Sequence, residues 1–224
     1  MIGDAMRPRY AVIAILFIGR TLAAQAGCQS FARAVADVSI DVAPISGFVD
    51  VCGKDADLCQ RLTGGFPTGV VTLGYFVASA EWEAHLSNPS TNFAHYLIAQ
   101  VAGHMTPADL PGFKNYVHTN NGAVPDHTEL PAVLKSQGHV GLGIVDETDS
   151  SISFGTIMLL RRGAEPDPIR LIATNSAVVA RGHLLSLYVY REMRDTADIS
   201  AAIRQTKEWL GCVRRANATS GMSR

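Results

Sequence analysis

With 224 residues, 47% of them apolar and 17% charged, the chain has the composition of a globular protein, and no polar low-complexity tract marks it as disordered. A formal net charge of −1 leaves no basic stripe to neutralise phosphates, which sets nucleic acid aside as a partner.

The first 26 residues, MIGDAMRPRYAVIAILFIGRTLAAQA, have the parts of a secretory signal. Arg7 and Arg9 supply a positive start, Ala11 to Gly19 an uncharged apolar run, and Ala24-Gln25-Ala26 the small residues that signal peptidase requires. The run is about half the roughly 20 residues of a bilayer crossing, and Arg20 ends it. Cleavage after Ala26 is therefore expected, leaving one domain over residues 27–217 and a disordered tail over 218–224. Gly27-Cys28 follows the cleavage site directly, but Gln25 stands where lipid attachment wants an aliphatic residue, so membrane association is expected only if Cys28 is lipidated. The signal holds Arg7, Arg9 and Arg20 against Asp4, so the remainder stands near −3.

In chain order, Val38 to Val42 and Gly47 to Val51 read as strands either side of Pro44. Cys52 and Cys59 flank the short polar loop GKDADL, and an oxidising compartment makes them a disulfide. Their six-residue gap is wider than the usual zinc pair. Cys28 and Cys212 either pair or stay free; spacing does not decide. Asp57 to Leu62 reads as a helical turn, Val70 to Val77 as a strand, Ser79 to Leu86 as a helix capped by Ser79, and Asn92 to Val101 as a strand. Thr106-Pro107-Ala108-Asp109 is a helix start, which Pro111-Gly112 is expected to interrupt. Asn120-Asn121-Gly122 reads as a turn, and 125–135 as loop with a second short helix.

The last third is more regular. His139 to Asp146 alternates as a strand, Asp146 to Ser150 is a turn, and Ile152 to Leu160 and Ile169 to Val179 are further strands. Arg181-Gly182 makes a tight hairpin into Leu184 to Tyr190, where Leu185, Leu187 and Val189 face one way. From Asp198, an expected N-cap, Ile199, Ile203, Thr206, Leu210 and Val213 fall on one helical face beside Ala202 and Trp209. Ala216 onward reads as a polar, frayed tail. The class is α+β: an antiparallel sheet with a C-terminal meander, covered by helices that include a long amphipathic C-terminal one.

Candidate chemistry is sparse. His85, His95, His104, His118, His127 and His139 are too widely spaced for two imidazoles to share one helix face. They read as scattered surface and loop histidines; a site assembled from distant segments would use His118 and His127 with Asp109 or Asp126 as a carboxylate ligand. No G-x-S-x-G elbow occurs, and Ser136 near His139 makes no triad by itself. Gly138, Gly141 and Gly143 lie inside a strand and mark a bulge or close approach rather than a dinucleotide loop. Asp146, Glu147 and Asp149 lack EF-hand spacing and read as a solvent-exposed acidic hairpin tip. Tyr75, Phe76, Trp82, Phe93, Tyr96, Phe113 and Tyr116 concentrate aromatic surface in the first half, as core or as the lining of a ligand groove.

The strand LGIVDE, the return SISFGTIMLLRR, RLIATNSAVV, the Arg-Gly turn, LLSLYVYRE and the closing KEWLGCVRRAN together resemble the C-terminal half of PsbP-like domains and of bacterial exported proteins built that way. That resemblance implies a curved antiparallel sheet running into a long C-terminal helix, and an assembly, binding or accessory role without catalysis. The long insert over 103–138, with its histidines, departs from that pattern. The expectation is an exported, non-catalytic envelope protein, periplasmic or secreted, that binds an envelope protein or a small ligand and needs no cofactor. The alternatives are a hydrolase or metal-dependent enzyme using the histidines of the 85–139 region, and a structural factor in envelope stress.

Overall fold

A computed structural model describes residues 27–120, 130–161 and 168–218 of the chain. Seven strands form one sheet: β3 (Phe48–Asp50), β4 (Val70–Ala78), β5 (His95–Ala102), β6 (His139–Thr148), β7 (Ser151–Leu160), β8 (Ile169–Ala180) and β9 (His183–Glu192). Their order is β3-β4-β5-β9-β8-β7-β6, and every neighbouring pair is antiparallel. Two meanders, β3 to β5 and β6 to β9, are thus joined through the pairing of their last strands. A separate hairpin, β1 (Ala32–Val35) and β2 (Val38–Asp41), turns at Ala36, whose φ is 52°. Bulges between Thr72 and Gly74, between Gly141 and Gly143, and between Ile144 and Asp146 bend β4 and β6. Gly143, at φ 72°, fits the expectation that glycine there marks a bulge.

Among the described residues the α-helices are α1 (Val51–Lys54), α2 (Ala56–Thr63), α3 (Ser79–Ser87), α4 (Leu110–Asn120), α5 (Leu130–Gln137) and α6 (Ala197–Ala218). The α6 stripe follows the helical period, with Ile199, Ala202, Gln205, Thr206, Trp209, Leu210, Cys212 and Val213 buried and Arg204, Lys207 and Glu208 exposed. Leu185, Leu187 and Val189 do share a face. With Phe76, Leu97, Ala99 and Val178 they meet Trp209, Leu210 and Val213 in the largest core cluster, which Ile40 and Val42 close from the hairpin side. Trp209, 1% exposed, packs edge-on to Phe76 and donates its indole N–H to the Val42 carbonyl at 3.0 Å. Polar atoms under the helix are paired as well. Thr206 donates to Ala202 O, so it accepts the hydroxyl of Thr174 at 2.6 Å, and Ser153 donates to Ser176 at 2.8 Å.

Several expectations are corrected. Ser79 is the first residue of α3, not its cap: Ala78 precedes the helix, no side chain caps it, and the Ser79 N–H goes to Gly47 O. Pro111 and Gly112 do not interrupt the second helix. The capping box of Thr106 and Asp109 opens a 3₁₀ turn at Pro107–Asp109, and Pro111 falls in the first turn of α4, where a missing N–H costs nothing. Asp198 lies inside α6 instead of capping it, and Asp195 receives the Ala197 N–H. The β6 strand runs on to Thr148, so only Asp149 and Ser150 turn. The segment from Ala216 is helical to Ala218: Asn217 donates to Asp41 O at 2.7 Å and accepts the Asp41 N–H at 3.1 Å, clamping β2 to the end of α6. Residues 1–26, Asn121, Gly122 and 219–224 lie outside the described residues.

Both cysteine pairs are bridged, Cys52 to Cys59 as expected and Cys28 to Cys212. The second spans 184 positions, for which the chain-entropy model gives about 5 kcal/mol, against about 2.5 kcal/mol for the first. Among the described residues no helix is long and apolar enough to cross a membrane.

Replacing Trp209 by Phe keeps the ring but strands the buried Val42 carbonyl, and should cost about 1–3 kcal/mol. Trp209→Ala adds a cavity and should cost about 3–5 kcal/mol. Urea unfolding of both variants checks the order; equal losses would contradict a role for the hydrogen bond.

Candidate functional site

Alternation in β9 sends Ser186, Tyr188 and Tyr190 to the face opposite α6. Tyr190 sits across from Tyr96 of β5, and Ile98 lies between Tyr75 of β4 and Tyr188 of β9. The rings form a near-parallel row across three strands: Tyr75 to Tyr96 at 5.4 Å, Tyr96 to Tyr190 at 4.7 Å and Tyr190 to Tyr188 at 6.2 Å between centroids. Such cross-strand pairs stabilise the sheet. Tyr75 is buried, whereas Tyr96, Tyr188 and Tyr190 are half-buried. Burial, reinforced by Tyr96, Tyr190 and Glu81, pushes the Tyr75 phenol up. The Tyr190 phenol is pushed up to about 12 by burial and by Tyr96 and Tyr188. These hydroxyls remain protonated hydrogen-bond donors at neutral pH.

Beyond Tyr75 the face ends in a cleft of about 390 Å³ between α2, α3 and the segment entering β5, lined by Leu58, Leu62, Tyr75, His85 and Pro89 to Phe93. The Asp55 carboxylate caps α2 by accepting the Leu58 N–H, and the Cys52–Cys59 bridge ties α1 to it.

A second cleft, about 320 Å³, is charged: Glu81, His95, Arg191, Glu192, Arg194 and Asp198 line it with three alanines. Most of these groups are engaged in holding the fold. Glu81 accepts the N–H groups of Ala94 and His95, both at 3.0 Å. His95 Nε2 meets Gln205 Oε1 of α6 at 2.7 Å. Arg191 Nε donates to Asp198 at 2.7 Å, and the other Asp198 oxygen takes the N–H groups of Arg194 and Asp195. Burial works against the Asp198 charge, but these bonds outweigh it and hold the carboxyl below its usual range. Burial lowers His95; Arg191 adds to this, while Gln205, Glu81 and Asp198 oppose it. These bonds pin the first half of α6 to β5 and β9, and among the described residues that line the cleft there is no Ser, Thr or Cys.

The sequence-predicted candidates are not gathered into one centre. His118 meets Glu147 at 3.0 Å, while Asp126 and His127 lie outside the described residues. His85 packs against Trp82 and Phe93, and His139 bonds Gln137 O. The side chain of Ser136 is likewise outside. Among the described residues no three His, Cys, Asp or Glu side chains could share a metal ion. The acidic hairpin tip is exposed at Glu147 and Asp149, and it is also paired: Glu147 with Lys114 and His118, and Asp146 with Arg214 of α6, which also bonds Ser151. Of the seven aromatics, Tyr75, Trp82, Phe93 and Tyr96 share one cluster. Phe76 faces α6, Phe113 packs on Phe154, and Tyr116 is exposed. The alternation of Leu184 to Tyr190 carries the signal that places Tyr188 and Tyr190 on the face opposite Leu185, Leu187 and Val189.

No known protein-family description matches the sequence, and no curated protein does. Among solved structures the chain is similar to the Saccharomyces cerevisiae Ran-binding protein Mog1p, at 12% identity and a TM-score of 0.43, over 85% of this chain and 95% of that one. A likeness at this level does not extend to function.

Folded His95 takes a proton less readily than the unfolded side chain, whose ordinary value is 6.5. Its contribution to stability is complete above that value and is lost as the pH falls below it, because only the unfolded chain gains the proton. Urea midpoints between about pH 7.5 and about pH 5.5 should fall more steeply for the native chain than for His95→Gln; parallel slopes would contradict the assignment.

Proposed function

We propose that this chain is an exported, non-catalytic protein of the cell envelope, periplasmic or secreted, that holds a protein partner or a small ligand on the tyrosine face of its sheet. The observation that carries this reading is the row Tyr75, Tyr96, Tyr190 and Tyr188, whose outer three rings stay half-buried on the side that α6 leaves open. Tyrosine suits recognition, since it offers a large rigid apolar body with a hydroxyl at its tip. Two disulfides fit an oxidising compartment. The Cys28–Cys212 bridge also bears on membrane attachment, because a sulfur bonded to Cys212 is not available for a lipid thioether. Bridge and lipid are alternative fates of one atom, and this reading takes the bridge. The resemblance to PsbP-like domains belongs to the same reading.

One experiment tests both halves. The full-length chain is expressed with a C-terminal tag, recovered from the envelope fraction and used as bait in envelope extract, beside Tyr188→Lys. The recovered bait should begin at Gly27 with all four cysteines oxidised, and Tyr188→Lys should reduce the captured partner at least about tenfold while melting close to the native chain. A chain retaining its leading segment in the cytosol would overturn the export half. Capture indifferent to Tyr188 would overturn the assigned face.

A further inference from the structure

We infer that the cleft between α2, α3 and the segment entering β5 is a site for an uncharged aromatic small molecule that carries a hydrogen-bond acceptor. This rests on the binding role proposed above and specifies a ligand class for one end of that face.

Its volume, about 390 Å³, lies within the roughly 300–1,000 Å³ of small-molecule sites. Of the nine described lining residues none is Asp, Glu, Lys or Arg. A charged ligand would lose its hydration there and gain no counter-charge, so the lining selects for an uncharged one. The walls are aromatic and aliphatic: Tyr75, His85 and Phe93 face Leu58 and Leu62. Trp82 stacks behind His85 at 5.9 Å, and Phe93 leans on the same imidazole at 5.2 Å. Such walls favour a flat ring, which gains stacked or edge-on contacts beyond the area it buries.

The polar requirement comes from His85. Its Nδ1 is buried without a hydrogen-bond partner. A hydrogen on that nitrogen would be an orphaned buried donor, which proteins rarely tolerate, whereas a lone pair there is the lesser cost. The tautomer that avoids this orphan carries its hydrogen on Nε2, and we take that N–H as the donor that His85, a lining residue, offers to an acceptor. Ser90, Thr91 and Asn92 supply a polar rim.

The cleft is also held in shape before any ligand arrives. The Cys52–Cys59 bridge and the Asp55 cap fix the helix bearing Leu58 and Leu62. Asn88 donates its N–H to Ala84 O at the end of α3, and Glu81 pins the chain at Ala94 and His95, just beyond Phe93. A ligand meeting a preformed wall loses little affinity to ordering it.

The test is an amide-resolved NMR titration of the mature chain with three probes of one ring size: acetophenone, benzoate and ethylbenzene. Acetophenone should give saturable shifts at Thr91, Asn92 and Phe93. Benzoate should bind at least about tenfold more weakly because of its charge. Ethylbenzene should bind about three- to tenfold more weakly for want of an acceptor. His85→Phe keeps an aromatic wall and should bring acetophenone down to the ethylbenzene level; Leu62→Trp fills the cleft and should abolish the shifts while the rest of the spectrum is retained. No saturable acetophenone shift, equal binding of benzoate, or shifts that persist in Leu62→Trp would each overturn the site. Tyr188 does not line the cleft, so Tyr188-dependent partner capture alongside a failed titration would overturn this inference and leave the tyrosine face standing.

Discussion

The seating of Trp209 under α6 is the contact on which the rest of the molecule depends. One indole fills the centre of the largest core cluster, meets Phe76 edge-on and satisfies the Val42 carbonyl just beyond the small hairpin. Helix, sheet and hairpin therefore converge on a single side chain. Around it the helix is fastened along its length by polar pairs and, toward its end, by a disulfide. In its first half are the pairs His95–Gln205 and Arg191–Asp198; toward its end are Arg214–Asp146, the Asn217 clamp on Asp41 and the Cys28–Cys212 bridge. A 22-residue helix of this composition would be marginal alone in water, so it is this docking that makes it part of the domain.

Closing one face of the sheet decides what the other can do. A strand shows alternate side chains to opposite faces, so each residue given to α6 leaves a neighbour pointing away from it. Leu185, Leu187 and Val189 go to the helix, and Tyr188 and Tyr190 to the far side. There α1 to α3 cover the β4 end, and Leu110 and Val117 of α4 pack on Ile152, Ala177 and Leu184. The tyrosine row lies in the cluster with α1 to α3 and remains only partly covered. Its geometry suits recognition, while most of the charged groups nearby are committed to holding backbone N–H groups and one another.

Much of this architecture was legible in the residues because it rests on period. The alternation in HVGLGIVD and LLSLYVY marked strands, and the stripe from Ile199 to Val213 marked the last helix. The hairpin at Arg181-Gly182 followed from the need for positive φ, found at 50° and 79°. What stayed hidden depended on partners far along the chain. Asn217 reads as part of a polar tail until Asp41 stands beside it, 176 positions away. His95 reads as one scattered histidine until Gln205 arrives, 110 positions away. Pro111 departs from expectation for a local reason: a proline disrupts a helix interior but is at home in a first turn, and the sequence alone does not show where the turn begins. The cleft joins side chains from Leu58 to Phe93 across two helices and a strand, so no spacing rule reveals it.

Amide hydrogen exchange on the oxidised chain tests the central claim most directly. Should α6 be the closing element of the core, its amides from Ala202 to Val213 will exchange as slowly as those of β8 and β9 and will open only with the whole domain. Exchange in that stretch orders of magnitude faster than in the central strands would mean that the helix detaches on its own. The two faces of the sheet would then be equally available, and the assignment of the tyrosine side as the working surface would fall.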